Sequence, residues 1–186
     1  MKNLLRITFV LIVLVILFTP KEAYASDETI NSTEAISTVL PQITAQNAQI
    51  NALQGYLTAQ NSPLAPYAKS MVENANENNI DWRLVAAISG VESSFGLDLP
   101  TNSYNCWGFG IYADNVRYFA SYSDGIETVS KSLRQDYLGQ NQATNVYLIG
   151  SKYAADPNWA SRVETYMDAI SSYQANTQIN QLPLSL

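Results

Sequence analysis

The stretch Ile88-Ser-Gly-Val-Glu-Ser-Ser-Phe-Gly96, followed by Asn105-Cys-Trp-Gly-Phe-Gly110, decides the fold, because it places one carboxylate on an apolar helical face. The apolar positions of that face recur at helical spacing, at Leu84, Ile88, Val91 and Phe95. Glu92 shares this face. A glutamate in apolar surroundings has its acidic form favoured, which raises its pKa towards the range that a general acid needs.

The end of this helix decides how Glu92 is interpreted. We expect the helix to end at Ser93-Ser94-Phe95-Gly96, where Gly96 is suited to a left-handed cap, with Glu92 in its last turn beside a cleft. A lone helical glutamate is more often a boundary residue that reaches water or pairs with a cation such as Arg83. The position at the helix end favours the functional interpretation.

The N-terminus predicts export. Residues 1–25 have Lys2 and Arg6, an apolar run from about Ile7 to Phe18, and a small-x-small site that ends at Ala25, as in a signal peptide. The run is shorter than the roughly 20 apolar residues that a membrane-spanning helix needs, so we favour cleavage after Ala25 over a retained anchor. The expected location is periplasmic, cell-wall-associated or secreted, with no stable membrane insertion after cleavage.

Composition excludes several classes of function. Without residues 1–25 the chain has seven cations and fifteen anions, a net charge of −8, so nucleic acid is not an expected partner. The chain has no histidine and one cysteine, Cys106, which rules out Ser-His and Cys-His nucleophiles, a zinc site built on His or several Cys, and an intrachain disulfide. We expect no metal and no cofactor. Twelve Tyr and three Trp suit sugar stacking, although such residues also fill cores.

Four regions follow from the pattern along the chain. After the signal peptide, residues 26–61 form a polar, partly helical spacer whose apolar repeat is interrupted by Pro41. A mainly α domain spans 62–175, and 176–186 is a tail. Caps and apolar stripes predict helices that start after Ser62-Pro63, after Asp81, near Ser123, near Thr144 and after Asp156-Pro157. Residues 97–121 predict a loop with a short hairpin.

Four blocks in this order resemble a known family. They are Val91-Glu-Ser-Ser-Phe-Gly96, Tyr104-Asn-Cys-Trp-Gly-Phe-Gly-Ile111, Arg117-Tyr-Phe-Ala-Ser-Tyr122 and Lys152-Tyr-Ala-Ala-Asp-Pro-Asn-Trp159. Together they resemble the mannosyl-glycoprotein endo-β-N-acetylglucosaminidase-like group of bacterial peptidoglycan hydrolases, within the lysozyme-like superfamily. The soluble lytic transglycosylases are a close relative. The resemblance implies a lysozyme-like α+β domain with a reduced hairpin lobe, acting on peptidoglycan glycan strands, and we expect a monomer.

The resemblance also implies site residues. Glu92 matches the catalytic acid, and Tyr153 matches a tyrosine that faces this acid across the cleft, in a block that here reads Tyr-Ala-Ala-Asp-Pro instead of Tyr-Ala-Thr-Asp-Pro. Trp107 and Phe109 are interpreted equally well as core residues or as a sugar-stacking surface. The substrate-binding residues implied are Ser93, Asn105, Trp107, Gly108, Tyr112 and Asp114.

The chain departs from the family where a second carboxylate is expected. The segment between the second and third blocks is short, and its only acid, Asp114, is interpreted more simply as a turn residue. Two-carboxylate hydrolysis needs a second acid at a defined separation. Three hypotheses therefore stay open: an endo-β-N-acetylglucosaminidase, a lytic transglycosylase that leaves 1,6-anhydro-muramyl ends, and a non-catalytic cell-wall-binding or assembly module.

Overall fold

The computed structural model describes residues 32–110, 117–139 and 142–180, with side chains described from residue 39 to residue 174 within those ranges. The chain divides into two compact units, residues 1–39 and residues 40–186. In the first unit, the described residues belong to the start of helix α1, Ser32–Ala59. The predicted signal peptide lies outside the described residues.

The second unit is built from helices. After α1 come a 3-10 turn Ala65–Tyr67 and α2 Ala68–Glu77, then α3 Leu84–Ser93 and α4 Tyr122–Ser132, which continues as a π-helical segment Leu133–Leu138. The last two helices are α5 Val146–Tyr153 and α6 Trp159–Asn180. The described residues contain no strand, so the expectation of a mainly α protein is confirmed.

Helix α3 is the centre of the core. Every residue from Leu84 to Gly90 is buried, so the helix is enclosed on all sides over its first two turns. It packs against α2, α4 and α6. The apolar stripe predicted from the sequence therefore describes only part of its buried surface, because the small residues Ala86, Ala87 and Gly90 let neighbouring elements approach on the other faces.

The end of α3 differs from the prediction in one respect. The backbone turns left-handed at Ser94, Phe95 and Gly96, with φ of 51°, 60° and 83°, so the helix ends before Gly96 and Phe95 is not part of it. The turn instead directs the Phe95 ring into the core, 4.9 Å from the Tyr166 ring and 5.6 Å from the Tyr56 ring. Glu92 lies in the last turn of α3, as expected.

The C-terminal part of the predicted spacer contributes to the core. Pro41 lies inside α1, and further along this helix Leu53 and Leu57 are fully buried in the same cluster as the α3 residues. Ser62 then joins the following turn to the end of α3, because its Oγ donates to the Phe95 carbonyl at 2.7 Å and accepts the Leu64 N–H at 3.0 Å. At the other end of the domain, α6 continues to Asn180, into the predicted tail.

The loop between α3 and α4 carries the second half of the diagnostic stretch. Its residues 111–116, where the hairpin, Tyr112 and Asp114 were predicted, lie outside the described residues. The residues just before this segment include turns, and the chain re-enters helix at α4, where Ser121 caps the helix by accepting the Asp124 N–H at 3.2 Å. Within the described ranges, no helix combines the length and apolar character that crossing a membrane requires.

Candidate active site

The Glu92 carboxyl group has a different neighbour at each oxygen. Oε1 accepts the indole N–H of Trp159, the first residue of α6, at 2.6 Å. Oε2 lies against the backbone of Gly108, where an ideal Cβ would be 2.9 Å from this oxygen. Gly108 has φ of +59°, a conformation that glycine adopts without a steric penalty. Glycine at position 108 therefore allows the Glu92 carboxyl group to approach the backbone closely.

Tyr153 completes the surroundings of this carboxyl group. Its ring stacks on the Trp159 ring, with centroids 5.0 Å apart and an interplanar angle of 22°. Its hydroxyl donates to the Trp107 carbonyl at 2.6 Å, and Trp107 directly precedes Gly108. Each of these residues therefore contacts or directly adjoins the next, in the order Glu92, Trp159, Tyr153, Trp107 and Gly108, and Gly108 lies against Glu92 again. We call these five residues the carboxylate ring.

This environment raises the pKa of both the Glu92 carboxyl group and the Tyr153 phenol. The pKa of Glu92 is raised, chiefly because burial of the carboxyl group disfavours its charge, while the Trp159 hydrogen bond and the positive charge of Arg162 act in the opposite direction. Glu92 as a whole residue is exposed, so the site is open to solvent although the carboxyl group is partly buried. Burial, and then the charge of Glu92, raise the pKa of Tyr153 well above its ordinary value, so Tyr153 stays a hydrogen-bond donor.

Two of the predicted substrate-binding residues, Ser93 and Asn105, are buried and make hydrogen bonds within the protein. Ser93 is buried, and its Oγ donates to the Cys106 carbonyl at 2.8 Å and accepts the Gly96 N–H at 3.0 Å. Asn105 is 2% exposed, and its side chain holds the loop closed through Phe109 and the Arg117 carbonyl. These side chains position the loop and offer little surface to a ligand.

Trp107 is a core residue. Its side chain is fully buried, its Nε1 donates to the Val85 carbonyl at 2.9 Å, and an ideal Cβ at Gly125 would be 2.5 Å from its ring. Of the two interpretations of this residue, the structure therefore favours packing over sugar stacking. Its carbonyl group, in contrast, belongs to the carboxylate ring, which the side-chain pattern did not suggest.

Aromatic side chains and an arginine lie at the outer part of the same loop. Phe109 is partly exposed, and the Arg117 guanidinium lies 5.1 Å from its ring centroid and 5.2 Å from that of Phe119. Phe109 and Phe119 stack, with centroids 6.4 Å apart. Such cation–π contacts hold the arginine at the loop surface. Asn105, which accepts from and donates to this loop, supports the arrangement from below.

Two residues of the site, Trp159 and Arg162, were not among the predicted site residues. Trp159 is 2% exposed, as a core residue would be, but its indole nitrogen reaches Glu92. Arg162 follows it by one helical turn and pairs with Asp156 at 2.7 Å. The available signal was that Trp159 ends the Lys152-to-Trp159 block, which also contains the predicted site residue Tyr153.

A cleft lies near the start of α3. It has a volume of about 530 Å³ and is lined by polar side chains that include Asp81, Arg83, Tyr147, Glu164 and Asp168. Arg83 pairs with Asp81 at 2.6 Å, and Tyr147 donates to Glu164 at 2.9 Å. Glu92 does not line this cleft. Because Arg83 is paired with Asp81 and Glu92 lies outside this cleft, we take the carboxylate ring as the candidate active site.

Within the described part of the chain, no group of three or more His, Cys, Asp and Glu residues is arranged to hold a metal ion. Comparisons with protein-family models, curated proteins and solved structures found no match to this chain.

Proposed function

We propose that this protein is an exported enzyme that cleaves β-1,4 glycosidic bonds in the glycan strands of peptidoglycan, as an endo-β-N-acetylglucosaminidase with a lysozyme-like fold. Glu92 is its general acid and Tyr153 supports it. The observation that carries the proposal is the Glu92 carboxyl group, enclosed by Trp159 and Gly108 at the solvent-facing end of a buried helix. A raised pKa keeps a larger fraction of this group protonated, as a general acid requires.

The reaction begins with proton transfer from Glu92 to the glycosidic oxygen. The bond from that oxygen to the anomeric carbon breaks, its electron pair stays on the oxygen, and positive charge develops on the sugar ring. The Glu92 carboxylate that remains is stabilised by the Trp159 N–H. The carboxylate then accepts a proton from the attacking species, which is either water or a hydroxyl group of the substrate.

The identity of the attacking hydroxyl distinguishes two chemistries. The direct contacts of the Glu92 carboxyl group within the described residues are an indole and a glycine, and neither is a carboxylate. A site with one carboxylate suits water attack assisted by the N-acetyl group of the substrate. It equally suits attack by the C6 hydroxyl of the substrate, which makes a lytic transglycosylase with 1,6-anhydro-muramyl products. The second candidate therefore shares Glu92 and differs in its products.

Replacement of Glu92 by Gln tests the general acid. Glutamine keeps the size and an acceptor for Trp159 but cannot donate an acidic proton. We expect the rate of cleavage of purified cell walls to fall about a hundred- to ten-thousand-fold. Glu77→Gln is the matched control, because Glu77 is an exposed glutamate at the end of α2, ahead of the start of α3.

The two outcomes separate the hypotheses. Equal rates of cell-wall clearing by the Glu92→Gln variant and the parent would refute the role of Glu92 as general acid. No clearing by the parent would favour the non-catalytic cell-wall-binding module. Mass spectrometry of the released fragments then assigns the chemistry, because hydrolysis leaves reducing N-acetylglucosamine ends and transglycosylation leaves anhydro ends.

A further inference from the structure

The two oxygens of Glu92 are not equivalent. A protonated carboxyl group carries its hydrogen on one oxygen, and an oxygen that accepts a hydrogen bond from an N–H is the one that stays unprotonated. Oε1 accepts the Trp159 N–H at 2.6 Å. The hydrogen of the acid form therefore resides on Oε2, the oxygen that lies against Gly108. Because Gly108 has no side chain, Oε2 can lie close to its backbone.

Trp159 is held in a single orientation. The residue is 2% exposed, and one face of its indole stacks on Tyr153 with centroids 5.0 Å apart. Gly150 supports the ring as well, since an ideal Cβ at that position would be 3.0 Å from Trp159 Cε3. Tyr153 and Gly150 both belong to α5. The N–H that reaches Glu92 is thus a preorganised donor that needs no rearrangement during a reaction.

We propose that Trp159 is the positioning residue of Glu92: it holds Oε1, so that Oε2 carries the proton and delivers it on the side of Gly108. The delivery step rests on the proposed function, whereas the choice of oxygen does not. In that step the Oε2–H bond breaks, the proton joins the glycosidic oxygen, and the electron pair of the breaking bond to the anomeric carbon stays on that oxygen.

The other charged and titratable groups around Glu92 are few in the described residues. Arg162 on α6 lowers the Glu92 pKa, and its guanidinium is paired with Asp156 at 2.7 Å. Tyr153 on α5 is protonated, because its own pKa is raised well above the ordinary value by burial and by the charge of Glu92. Cys106 in the loop before Gly108 is buried and also protonated, with a pKa that burial raises to about 12. Removal of the Trp159 N–H leaves all three groups in place.

The test is the Trp159→Phe variant, which keeps an aromatic ring and removes the N–H. The hydrogen bond favours the ionised form of Glu92, so its loss should raise the Glu92 pKa further. The pKa is measured by carbon NMR of labelled glutamate side chains, with Glu92→Gln identifying the resonance. In kinetics, we expect kcat to fall roughly ten- to a hundredfold with KM little changed. The alkaline limb of the pH–rate profile should move to higher pH.

Trp82→Phe is the matched control. Trp82 is a partly buried tryptophan that packs against the hydrophobic core, and it is not one of the five residues of the carboxylate ring. We expect the Glu92 titration to be unchanged in this variant. An unchanged titration in Trp159→Phe would overturn the inference, as would an equal shift in both variants. If the parent does not cleave cell walls while Trp159→Phe alone shifts the titration, the proposed function fails and the assignment of Oε1 to Trp159 is supported.

Discussion

Replacing Gly108 by Ala tests the geometry of the carboxylate ring with one methyl group. That methyl would lie 2.9 Å from Glu92 Oε2, 3.6 Å from Cδ and 3.9 Å from Cγ. The contact is with the far end of a flexible side chain, so Glu92 can rotate away at a small cost in folding free energy. The rotation, however, withdraws the carboxyl group from Trp159. A displacement of about 1 Å in a catalytic group can reduce the rate about a hundredfold, and we expect that loss here.

The backbone adds a separate cost. A left-handed conformation in a residue with a side chain costs about 1–2 kcal/mol, and Gly108 has φ of +59°. We expect the free energy of unfolding of Gly108→Ala to fall by that amount, which corresponds to a decrease of several degrees in Tm. Circular dichroism during heating measures this change, and the rate of cell-wall clearing measures the activity.

Gly139→Ala is the matched control for strain. Gly139 has φ of +74° and ψ of 167°, a region that is close to glycine-specific, and an ideal Cβ there meets no atom within 4 Å. This variant should lose at least as much stability as Gly108→Ala while keeping the parental activity at temperatures where it is folded. The reasoning is refuted if the two variants have equal activity, because the methyl group at position 108 would then not displace Glu92.

Two further predictions concern the core. Arg134 is 7% exposed, and its guanidinium donates hydrogen bonds to the carbonyl oxygens of Asn78, Asn79, Gly139 and Gln142. Arg134→Met should therefore reduce the free energy of unfolding by about 3 kcal/mol or more, measured by urea denaturation, and a loss below about 1 kcal/mol would contradict this role. Cys106 is buried, and burial raises the pKa of its thiol to about 12, so a thiol reagent at pH 8 should label the unfolded chain but not the native protein. Rapid labelling of the native protein would show that the loop opens.

Helix positions were well predicted where local chemistry determines them. The last helix starts after Asp156-Pro157, and Asp156 accepts the Asn158 N–H at 2.9 Å, as expected for a capping residue. The helix predicted near Ser123 starts at Tyr122, and the one predicted near Thr144 starts at Val146, capped by Asn145. These signals depend on residues within one turn of each other. The prediction was less accurate at the end of α3, where three consecutive left-handed residues depend on packing against the loop of Cys106.

The sequence by itself determined that Glu92 lies in the last turn of an apolar helix, and that no histidine or second cysteine is available for chemistry. The tertiary structure decided what encloses that carboxyl group. Trp159 is 67 positions from Glu92, and Tyr153 reaches the Trp107 carbonyl across 46 positions. Helical periodicity places a side chain on a face of its own helix, whereas contacts at such separations depend on how α3, α5 and α6 pack. For that reason the sequence pattern did not indicate the hydrogen bond that the Trp159 indole nitrogen makes to Glu92, and only the structure shows it.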